Sequence, residues 1–449
     1  MMDRGLYFPW ILAFAIGFVA FLSPAAWNGF PFVFYDSSDY IEAAFSFQMP
    51  PFRLLPYAFP VALGRLAGGP WAVVPLQILA VLTVLALLAR LHGPKGAPRR
   101  FLTLSLGLAI LTSAPWYAGL LMPDAFSGVA ILAGALVLAG WEKLGRLKFL
   151  ALALILPAGV VHATHLLILA GLSAIGFVLW PLRQVARNAA LALAGATLLA
   201  WLAVPAIQAA AQGGWFYNKG SSVFLLARLV SAGLIQEELP RLCREKAFRI
   251  CSVRERLHGD ENEFLWGDPG VFFARAGSIQ DWLDESPELV RRTFQAQPLR
   301  AARFMLDSAL RQLVTFGPGD VFDPMSFHMH KSLLKRWPEW HADLQDARQE
   351  HGWTDAKNWL QTVAAAAMAL GQAGLLVMFV LAIRDRDAKR AVLAGLILAG
   401  LVGNALACGG LSSLADRYQA RVAWLGLALV LADLTWLKAR IYRPRPGAD

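Results

Sequence analysis

Residues 34–42, FYDSSDYIE, bring three acidic side chains, Asp36, Asp39 and Glu42, directly after the first hydrophobic segment. Acidic groups beside a membrane are costly unless they are solvated, paired or used in a function. A carboxylate at such a boundary can accept a proton from an incoming hydroxyl or amine. The stretch therefore indicates a reaction centre, with Asp36 as the candidate base.

Local structure offers an alternative role for two of these acids. Asp39 and Glu42 have the spacing of a capping box, which predicts that a short helix begins at Asp39. Tyr40 and Ile41 would then belong to the apolar face of a helix lying along the membrane interface. Asp36 precedes this cap and is left unexplained, which favours a functional role for it.

The last loop, residues 415–421 (ADRYQAR), places Arg417 next to Tyr418. An arginine fork gives a phosphate two parallel, charge-assisted hydrogen bonds, so Arg417 is a candidate phosphate clamp. A local ion pair with Asp416, or an extended side chain that reaches the lipid headgroups, is the plainer alternative.

Three further polar residues lie at turns between hydrophobic runs. Asp124 follows Met122 and Pro123, where it is either the N-cap of the next helix or a second functional acid. His162 and His165 are three apart, which predicts that they share a helical face. Two histidines without a third ligand are a weak zinc signal, so hydrogen-bonded core residues and phosphate contacts remain the alternatives.

Composition identifies a polytopic α-helical membrane protein. The chain has 449 residues, of which 57% are hydrophobic and 16% charged, against about 25% charged in soluble domains. About ten transmembrane helices fit the hydrophobic pattern. They lie near residues 6–24, 71–91, 101–121, 125–141, 149–180 (two short helices with a turn near 162–165), 188–211, 359–383, 391–408 and 422–437.

The basic residues predict the orientation of these helices. Eighteen Lys and Arg residues fall in one set of short loops and tails, and four fall in the other set. Positively charged loops stay in the cytoplasm. Both termini are therefore predicted to be cytoplasmic, in a protein of the inner (plasma) membrane. Asp36, Asp124, His162, His165 and Arg417 then all lie on the outer face. The same loop pattern explains the net charge of +10 without a nucleic-acid partner.

Three parts follow from this organisation. Residues 1–211 form an N-terminal membrane module with a long outer loop at 25–70, residues 212–358 a mostly helical extracytoplasmic domain, and residues 359–449 the last helices and a basic tail. In the polar domain, Ser286 and Pro287 predict a helix start, and residues 299–316 an amphipathic helix. Cys243 and Cys251 predict a disulfide outside the cytoplasm if a turn separates them.

These motifs resemble those of the GT-C superfamily, integral-membrane glycosyltransferases that use polyprenyl-phosphate sugars. Residues 36–40 (DSSDY) are similar to the Asp-x-x-x-Tyr pattern of the family's first outer loop, with Ser37 where the family usually has a second acid. Residues 50–57 (PPFRLLPY) are similar to the proline-rich run that often follows. Arg417 and Tyr418 resemble an Arg-Tyr pair of the last outer loop.

The resemblance implies transfer of a hexosyl or pentosyl group from a polyprenyl-phosphate donor to a lipid or glycan acceptor. It implies Asp36 as the base and Asp124 as a second catalytic acid, which positions the acceptor or a Mg or Mn ion. The substrate contacts that it implies are Tyr40, Arg53, His162, His165, Arg417 and Tyr418.

Other functions compete with this interpretation. A polysaccharide polymerase or ligase would use the same general chemistry. A transporter or flippase is a second alternative, although the chain has no internal repeat and few charges deep within its helices. A non-catalytic assembly protein is a third, and in that case Asp36, Asp124 and Arg417 should not converge.

Overall fold

The computed structural model describes residues 7–49, 52–66, 68–257, 259–266, 278–325 and 327–441. Within these ranges the chain is helical, and its only extended pairing is one isolated parallel bridge between Phe32 and Leu120. Some residues used in the sequence predictions lie outside the described ranges, namely Arg4, Leu6, Pro50, Pro51, Arg443 and Arg445.

The helices of the first half are α1 (Tyr7–Asn28), α2 (Ser37–Ser46), α3 (Ala58–Ala62), α4 (Val73–Leu91), α5 (Ala97–Leu111), α6 (Ala114–Ala118), α7 (Ala125–Gly140), α8 (Lys148–Val160), α9 (Ala163–Leu179) and α10 (Arg187–Gln212). Those of the second half are α11 (Ser221–Ser231), α12 (Leu234–Glu245), α13 (Glu261–Trp266), α14 (Ile279–Ala296), α15 (Pro298–Val314), α16 (Phe327–Arg336), α17 (His341–Gln345), α18 (Thr354–Trp359), α19 (Ala365–Arg384), α20 (Ala388–Ala405), α21 (Asp416–Ala432) and α22 (Leu434–Ile441). The π-helical turn Leu360–Ala364 joins α18 to α19, and a second, Leu406–Gly410, extends α20.

Several of these helices are suited to a membrane. Among the described residues, five are long and apolar enough to cross one: Phe8–Asn28, Gly69–Leu91, Arg187–Gln212, Thr354–Arg384 and Ala388–Gly410. A sixth span results if α21 and α22, which meet at an angle of 69°, count as one. The chain is therefore a helical protein whose apolar helices suit membrane integration.

Helices also occupy the other predicted segments, but they are short. Helices α5, α7, α8 and α9 have 15, 16, 13 and 17 residues, whereas a perpendicular span needs about 20. The segment 101–121 is not one helix, because Thr112 is extended (φ −138°, ψ 171°). Pro115 then sits in the first turn of α6, where the missing N–H costs no hydrogen bond.

Small residues allow close packing around α21, the helix that begins next to Arg417. Gly371 of α19 faces Gly426 of α21, and a Cβ added at Gly371 would lie 2.5 Å from the backbone nitrogen of Leu427. Glycines at such crossings let two helix backbones approach closely. The middle of α21 is thereby packed closely against α19.

The polar region divides between two hydrophobic cores. Buried residues between 223 and 301 form a core of their own, whereas those between 321 and 347 belong to the core of the main bundle. Cys243 and Cys251 form the predicted disulfide within the first part. The bond is possible because α12 ends at Glu245 and the chain turns back before Cys251.

Two helix starts differ from the sequence predictions. No helix begins at Ser286, because Pro287 lies inside α14, which starts at Ile279 with Ser278 and Asp281 as a complete capping box. Nor does α2 begin at Asp39, since its first residue is Ser37. Glu42 does not return to the start of α2, because its carboxylate accepts hydrogen bonds from Arg336 of α16 at 2.6 and 2.8 Å. The predicted helix at 299–316 is confirmed as α15.

Candidate functional site

The turn before α2 presents the carboxylate of Asp36. Asp36 occupies the N-cap position, but its side chain makes no capping hydrogen bond. Ser37 stabilises the turn instead, since its Oγ accepts from the Phe34 N–H and donates to the Leu121 carbonyl, both at 2.9 Å. Ser37 is fully buried. Ser37 is therefore a structural residue, and Asp36 is left for other partners.

Two arginines from distant parts of the chain take up that carboxylate. Arg53 donates to Asp36 Oδ1, and an Arg417 terminal nitrogen lies 3.6 Å from Asp36 Oδ2. Arg53 Nε also lies 4.0 Å from an oxygen of Asp39. We call Asp36, Arg53 and Arg417, with Asp39 at their edge, the Asp36 centre. Its three central side chains are 15–16% exposed, so the cluster is half-closed and not sealed.

The two carboxylates of the Asp36 centre have different acidities. Burial raises the pKa of Asp36, but Arg53 and Arg417 outweigh it, so the pKa is lower than that of an ordinary aspartate. At Asp39, burial and the charge of Asp36 outweigh the attraction of Arg53, which raises the pKa to about 6. Asp36 is therefore ionised at neutral pH, and Asp39 titrates just below it.

Arg417 is held at the start of α21 by contacts on both sides. Its guanidinium lies 4.2 Å from the ring centre of Phe34 and 4.9 Å from that of Tyr418. Asp416 does not pair with it, because Asp416 accepts a 3.0 Å hydrogen bond from the Gly317 N–H. The alternative of a local Asp416–Arg417 ion pair is therefore wrong.

The polar region holds the loop before Arg417. Gln312 of α15 donates to the Ala415 carbonyl at 2.8 Å, and its amide oxygen accepts from the Ala415 N–H at 3.1 Å. Glu261 accepts from the Leu414 N–H at 3.1 Å and pairs with the buried Arg228 at 2.7 Å. Helices α11, α13 and α15 thus position the arginine that faces Asp36.

Tyr40 is next to the Asp36 centre but buried. It is 1% exposed, and its ring packs edge-on against Tyr57 at 4.7 Å. Burial raises the pKa of Tyr40 far above its ordinary value, so the phenol stays neutral. Tyr57 in turn donates to Gln77 of α4 at 3.1 Å. The tyrosine of the Asp-x-x-x-Tyr pattern thus anchors α2 to the bundle.

A second polar cluster lies one helical turn further along α21. Arg421 is 1% exposed and contacts Asp124 at 3.2 Å, Thr164 and Asn404 at 3.3 Å each, and the Cys408 sulfur at 3.1 Å. We call these five residues the Arg421 network. Asp124 occupies the N-cap position of α7, as the alternative predicted, but its side chain makes no capping hydrogen bond and its carboxylate accepts from Arg421 instead.

The two histidines belong to the wall of this network. His162 is extended and caps α9, accepting from the Thr164 N–H, so it does not share a helical face with His165 as predicted. Their rings still lie 5.1 Å apart. Nδ1 of His165 lies 2.7 Å from the Ala158 carbonyl, which can only accept, so it carries the proton. Nε2 then accepts from Ser127 at 2.6 Å, so His165 is a satisfied core residue.

All eight predicted site residues are thus joined into one region, in which Arg421 is the member that the sequence prediction omitted. Its spacing of four from Arg417 places it on the same helical face, which was the available signal. Asn404, a lone amide in an apolar run, was another. Both signals can be seen in the local sequence, but the residues that Arg421 contacts, such as Asp124 and Thr164, come from other parts of the chain.

The acidic residues do not fit a divalent cation. Asp36 directs one oxygen to each of two arginines, and Asp124 is paired with Arg421. Within the described ranges no group of three or more His, Cys, Asp or Glu residues is arranged to hold a metal ion. Mg²⁺ or Mn²⁺ would have to displace a guanidinium from its carboxylate at Asp36 and at Asp124.

Comparisons with protein-family models, with curated proteins and with solved structures find no match to this chain.

Proposed function

We propose that this protein is a GT-C-like glycosyltransferase that moves a sugar from a polyprenyl-phosphate donor to a hydroxyl acceptor, at the outer face of the membrane in which it lies. The observation that carries the proposal is the position of Asp36 between Arg53 and Arg417, beside apolar helices. A base and a phosphate-binding cation are the two groups that this transfer needs from the protein.

The donor phosphate would bind at Arg417. This arginine lies in the first turn of a 17-residue helix, where unpaired backbone N–H groups also favour an anion. Its contact with Asp36, at 3.6 Å, is longer than a hydrogen bond. A phosphate able to accept two parallel hydrogen bonds would compete well for that guanidinium. The polyprenyl chain would extend along the neighbouring apolar helices.

Donor binding would also activate the base. While Arg417 faces Asp36, its charge lowers the proton affinity of the carboxylate. A phosphate on Arg417 neutralises that charge, so Asp36 becomes more basic when the donor is in place. Asp36 then takes the proton of the acceptor hydroxyl, while the oxygen of that hydroxyl forms a bond to the anomeric carbon of the sugar. The bond from that carbon to the phosphate oxygen breaks, and polyprenyl phosphate leaves with the electron pair.

The orientation belongs to the same proposal. The 18-to-4 distribution of basic residues supports cytoplasmic termini, an inner (plasma) membrane location and an extracytoplasmic region at 212–358. Asp36 and Arg417 would then face donors in the outer leaflet. Reporter tags on both termini should be protected from external protease in intact cells. An accessible C-terminal tag would contradict this topology.

The direct test uses purified protein in lipid nanodiscs with a panel of polyprenyl-phosphate hexoses and pentoses. Release of polyprenyl phosphate and labelling of an added envelope-glycan fraction are measured together. We expect one donor to be consumed by the wild type and not by Asp36→Asn. Equal release by both proteins, or no release from the whole panel, would overturn the proposal.

A further inference from the structure

A cleft of about 520 Å³ lies at the end of α1, apart from the residues of the Asp36 centre. Trp27 forms one wall with Asn28, and residues 346–353 form the other. Its volume is within the range of about 300–1,000 Å³ that small-molecule sites occupy. We call it the Trp27 cleft.

Aromatic side chains build one side of the cleft. Trp27 is 41% exposed, which is unusual for an indole that also packs edge-on against Trp353 at 5.5 Å. Trp353 stacks flat on Trp116 at 5.2 Å, with an interplanar angle of 5°. The Trp27 ring is therefore held in a fixed orientation with part of its surface open.

Three polar side chains, Asp346, Arg348 and His351, line the same cleft. Arg348 is fixed, since its Nε donates to the Trp27 carbonyl at 2.9 Å and its guanidinium lies 5.0 Å from the Trp27 ring centre. These three residues are exposed, and among the described residues the terminal nitrogens of Arg348 and the side chains of Asp346 and His351 have no protein partner. The cleft thus offers an acceptor, fixed donors and an imidazole.

This combination selects the chemistry of the ligand. An anion would be repelled by Asp346, and a cation by Arg348. A polyol suits both, because each hydroxyl donates one hydrogen bond and accepts others. The C–H face of a sugar ring also stacks favourably on the electron-rich face of an indole such as Trp27. A neutral saccharide therefore suits the acceptor, the donors and the indole face of the cleft together.

The cleft is joined rigidly to the Asp36 centre. Gln349 donates through its backbone to Asn28 Oδ1 at 2.8 Å, and through its amide to the Val33 carbonyl at 2.7 Å. The Val33 N–H returns a 3.1 Å hydrogen bond to Gln349. The loop that starts at the cleft therefore runs in a fixed path to Asp36.

We infer that the Trp27 cleft binds a neutral saccharide and holds the glycan part of the acceptor. The acceptor role rests on the proposed function, but saccharide binding does not. Binding and transfer can therefore be tested separately.

The experiment measures binding of neutral gluco-, galacto-, manno- and arabino-oligosaccharides to the full-length protein in nanodiscs, by calorimetry and saturation-transfer NMR. We expect at least one series to bind, with affinity reduced tenfold or more in Trp27→Ala and in Asp346→Asn. Trp215→Ala is the matched control, because Trp215 is 67% exposed and lies outside the cleft, and it should bind as the wild type does. Asp36→Asn should also bind normally.

Several outcomes would overturn the inference. One is that no series binds, and another is that both cleft variants bind normally. A third is that Trp27→Ala lowers thermal stability in nanodiscs but leaves saccharide affinity unchanged, which would make Trp27 a membrane-interface anchor. Binding without any sugar transfer would contradict the proposed function and leave the cleft assignment standing. Sugar transfer with an unchanged acceptor KM in both cleft variants would support the proposed function and contradict the acceptor role of the Trp27 cleft.

Discussion

Two aspartate–arginine pairs lie one turn apart on α21, and they differ in their surroundings. Asp36 and Arg417 are 15% and 16% exposed. Asp124 and Arg421 are 3% and 1% exposed, although their 3.2 Å contact uses the same chemical groups. A partly exposed pair can exchange one partner for a ligand, whereas removing one partner of a buried pair leaves the other charge without an opposite charge.

The number of partners reinforces this difference. Arg421 has four protein contacts, from the N-cap residue of α7, from α9 and from α20 with its π-helical extension, and its side chain is almost fully closed to solvent. Arg417 has one carboxylate, beyond hydrogen-bond distance, a long 3.4 Å hydrogen bond to the Tyr418 hydroxyl, and the rings of Phe34 and Tyr418. Tyr418 lies between them, 4.9 Å from one guanidinium and 5.4 Å from the other. The Arg421 network therefore positions the helix, and the Asp36 centre is available for chemistry.

The largest expected effect is on turnover. Asp36→Asn retains the size of the side chain but removes the base, so kcat should fall about 10²- to 10⁴-fold. Asp39→Asn, the matched control three residues away, should change kcat by no more than a few-fold. Release of polyprenyl phosphate measures both. If Asp39→Asn were inactive and Asp36→Asn near normal, the base would be Asp39.

The buried pair should dominate stability. Arg421→Ala leaves the Asp124 carboxylate buried and unpaired, which costs about 3–5 kcal/mol of unfolding free energy. Arg417→Ala should cost less than Arg421→Ala, because Asp36 keeps its ion pair with Arg53. Thermal unfolding in detergent compares the two. The double variant Arg421→Met/Asp124→Leu should recover most of the loss, and a wild-type melting temperature for Arg421→Ala would refute the comparison.

Donor affinity should depend on Arg417 in particular. Arg417→Ala removes a charged hydrogen-bond donor worth about 1.5–3 kcal/mol, so the donor KM should rise about 10- to 100-fold. Arg417→Lys preserves the charge without the planar fork, so its donor KM should lie between that of the wild type and that of Arg417→Ala. Initial rates against donor concentration provide the measurement. An unchanged donor KM in Arg417→Ala would contradict the proposal that Arg417 binds the donor phosphate.

The pH dependence separates the two carboxylates of the Asp36 centre. A base works only when deprotonated, and kcat/KM reports the free enzyme, in which Arg417 still faces Asp36. With Asp36 as the base, kcat/KM should stay level from pH 7 to pH 5, since the pKa of Asp36 is below the ordinary value. With Asp39 as the base it would fall about tenfold per pH unit below its pKa of about 6.

The smallest effect concerns the contribution of Asp39 to the folding stability of the protein. A raised carboxyl pKa means that the folded state binds the proton more tightly, so ionisation of Asp39 opposes folding. This opposition is present above pH 6 and absent below pH 4. Asp39→Asn should therefore raise the melting temperature slightly at pH 7.5 and not at pH 4. The gain should be less than about 1 kcal/mol, because the side chain is 35% exposed and screened by solvent. A lower melting temperature at pH 7.5 would contradict it.

Much of the architecture was predictable because the signals are local. Runs of apolar residues predict helices wherever they occur, and helices are present in all ten predicted segments. The Cys243–Cys251 disulfide was predictable from a separation that closes if a turn intervenes. The lengths of the helices were less so, since the break at Thr112 depends on what its neighbours contact.

The capping predictions failed for a shared physical reason. Asp39 and Glu42 have the right local spacing, but Arg336 from α16 offers Glu42 a charged partner that outcompetes a backbone N–H. Ser286 and Pro287 have the composition of a helix start, but Ser278 provides a complete capping box eight residues earlier. Local preferences of about 1 kcal/mol give way to such competitors.

The sequence by itself determined the helical class with apolar helices suited to a membrane, the disulfide, and eight candidate residues that lie in one region, but not Arg421. Only the tertiary structure decided their partners: Asp36 meets Arg417 from the other end of the chain, and Asp124 meets Arg421. The reason is that a residue type states which charge is available, whereas its burial and the helices packed around it decide whether that charge is held or free to exchange.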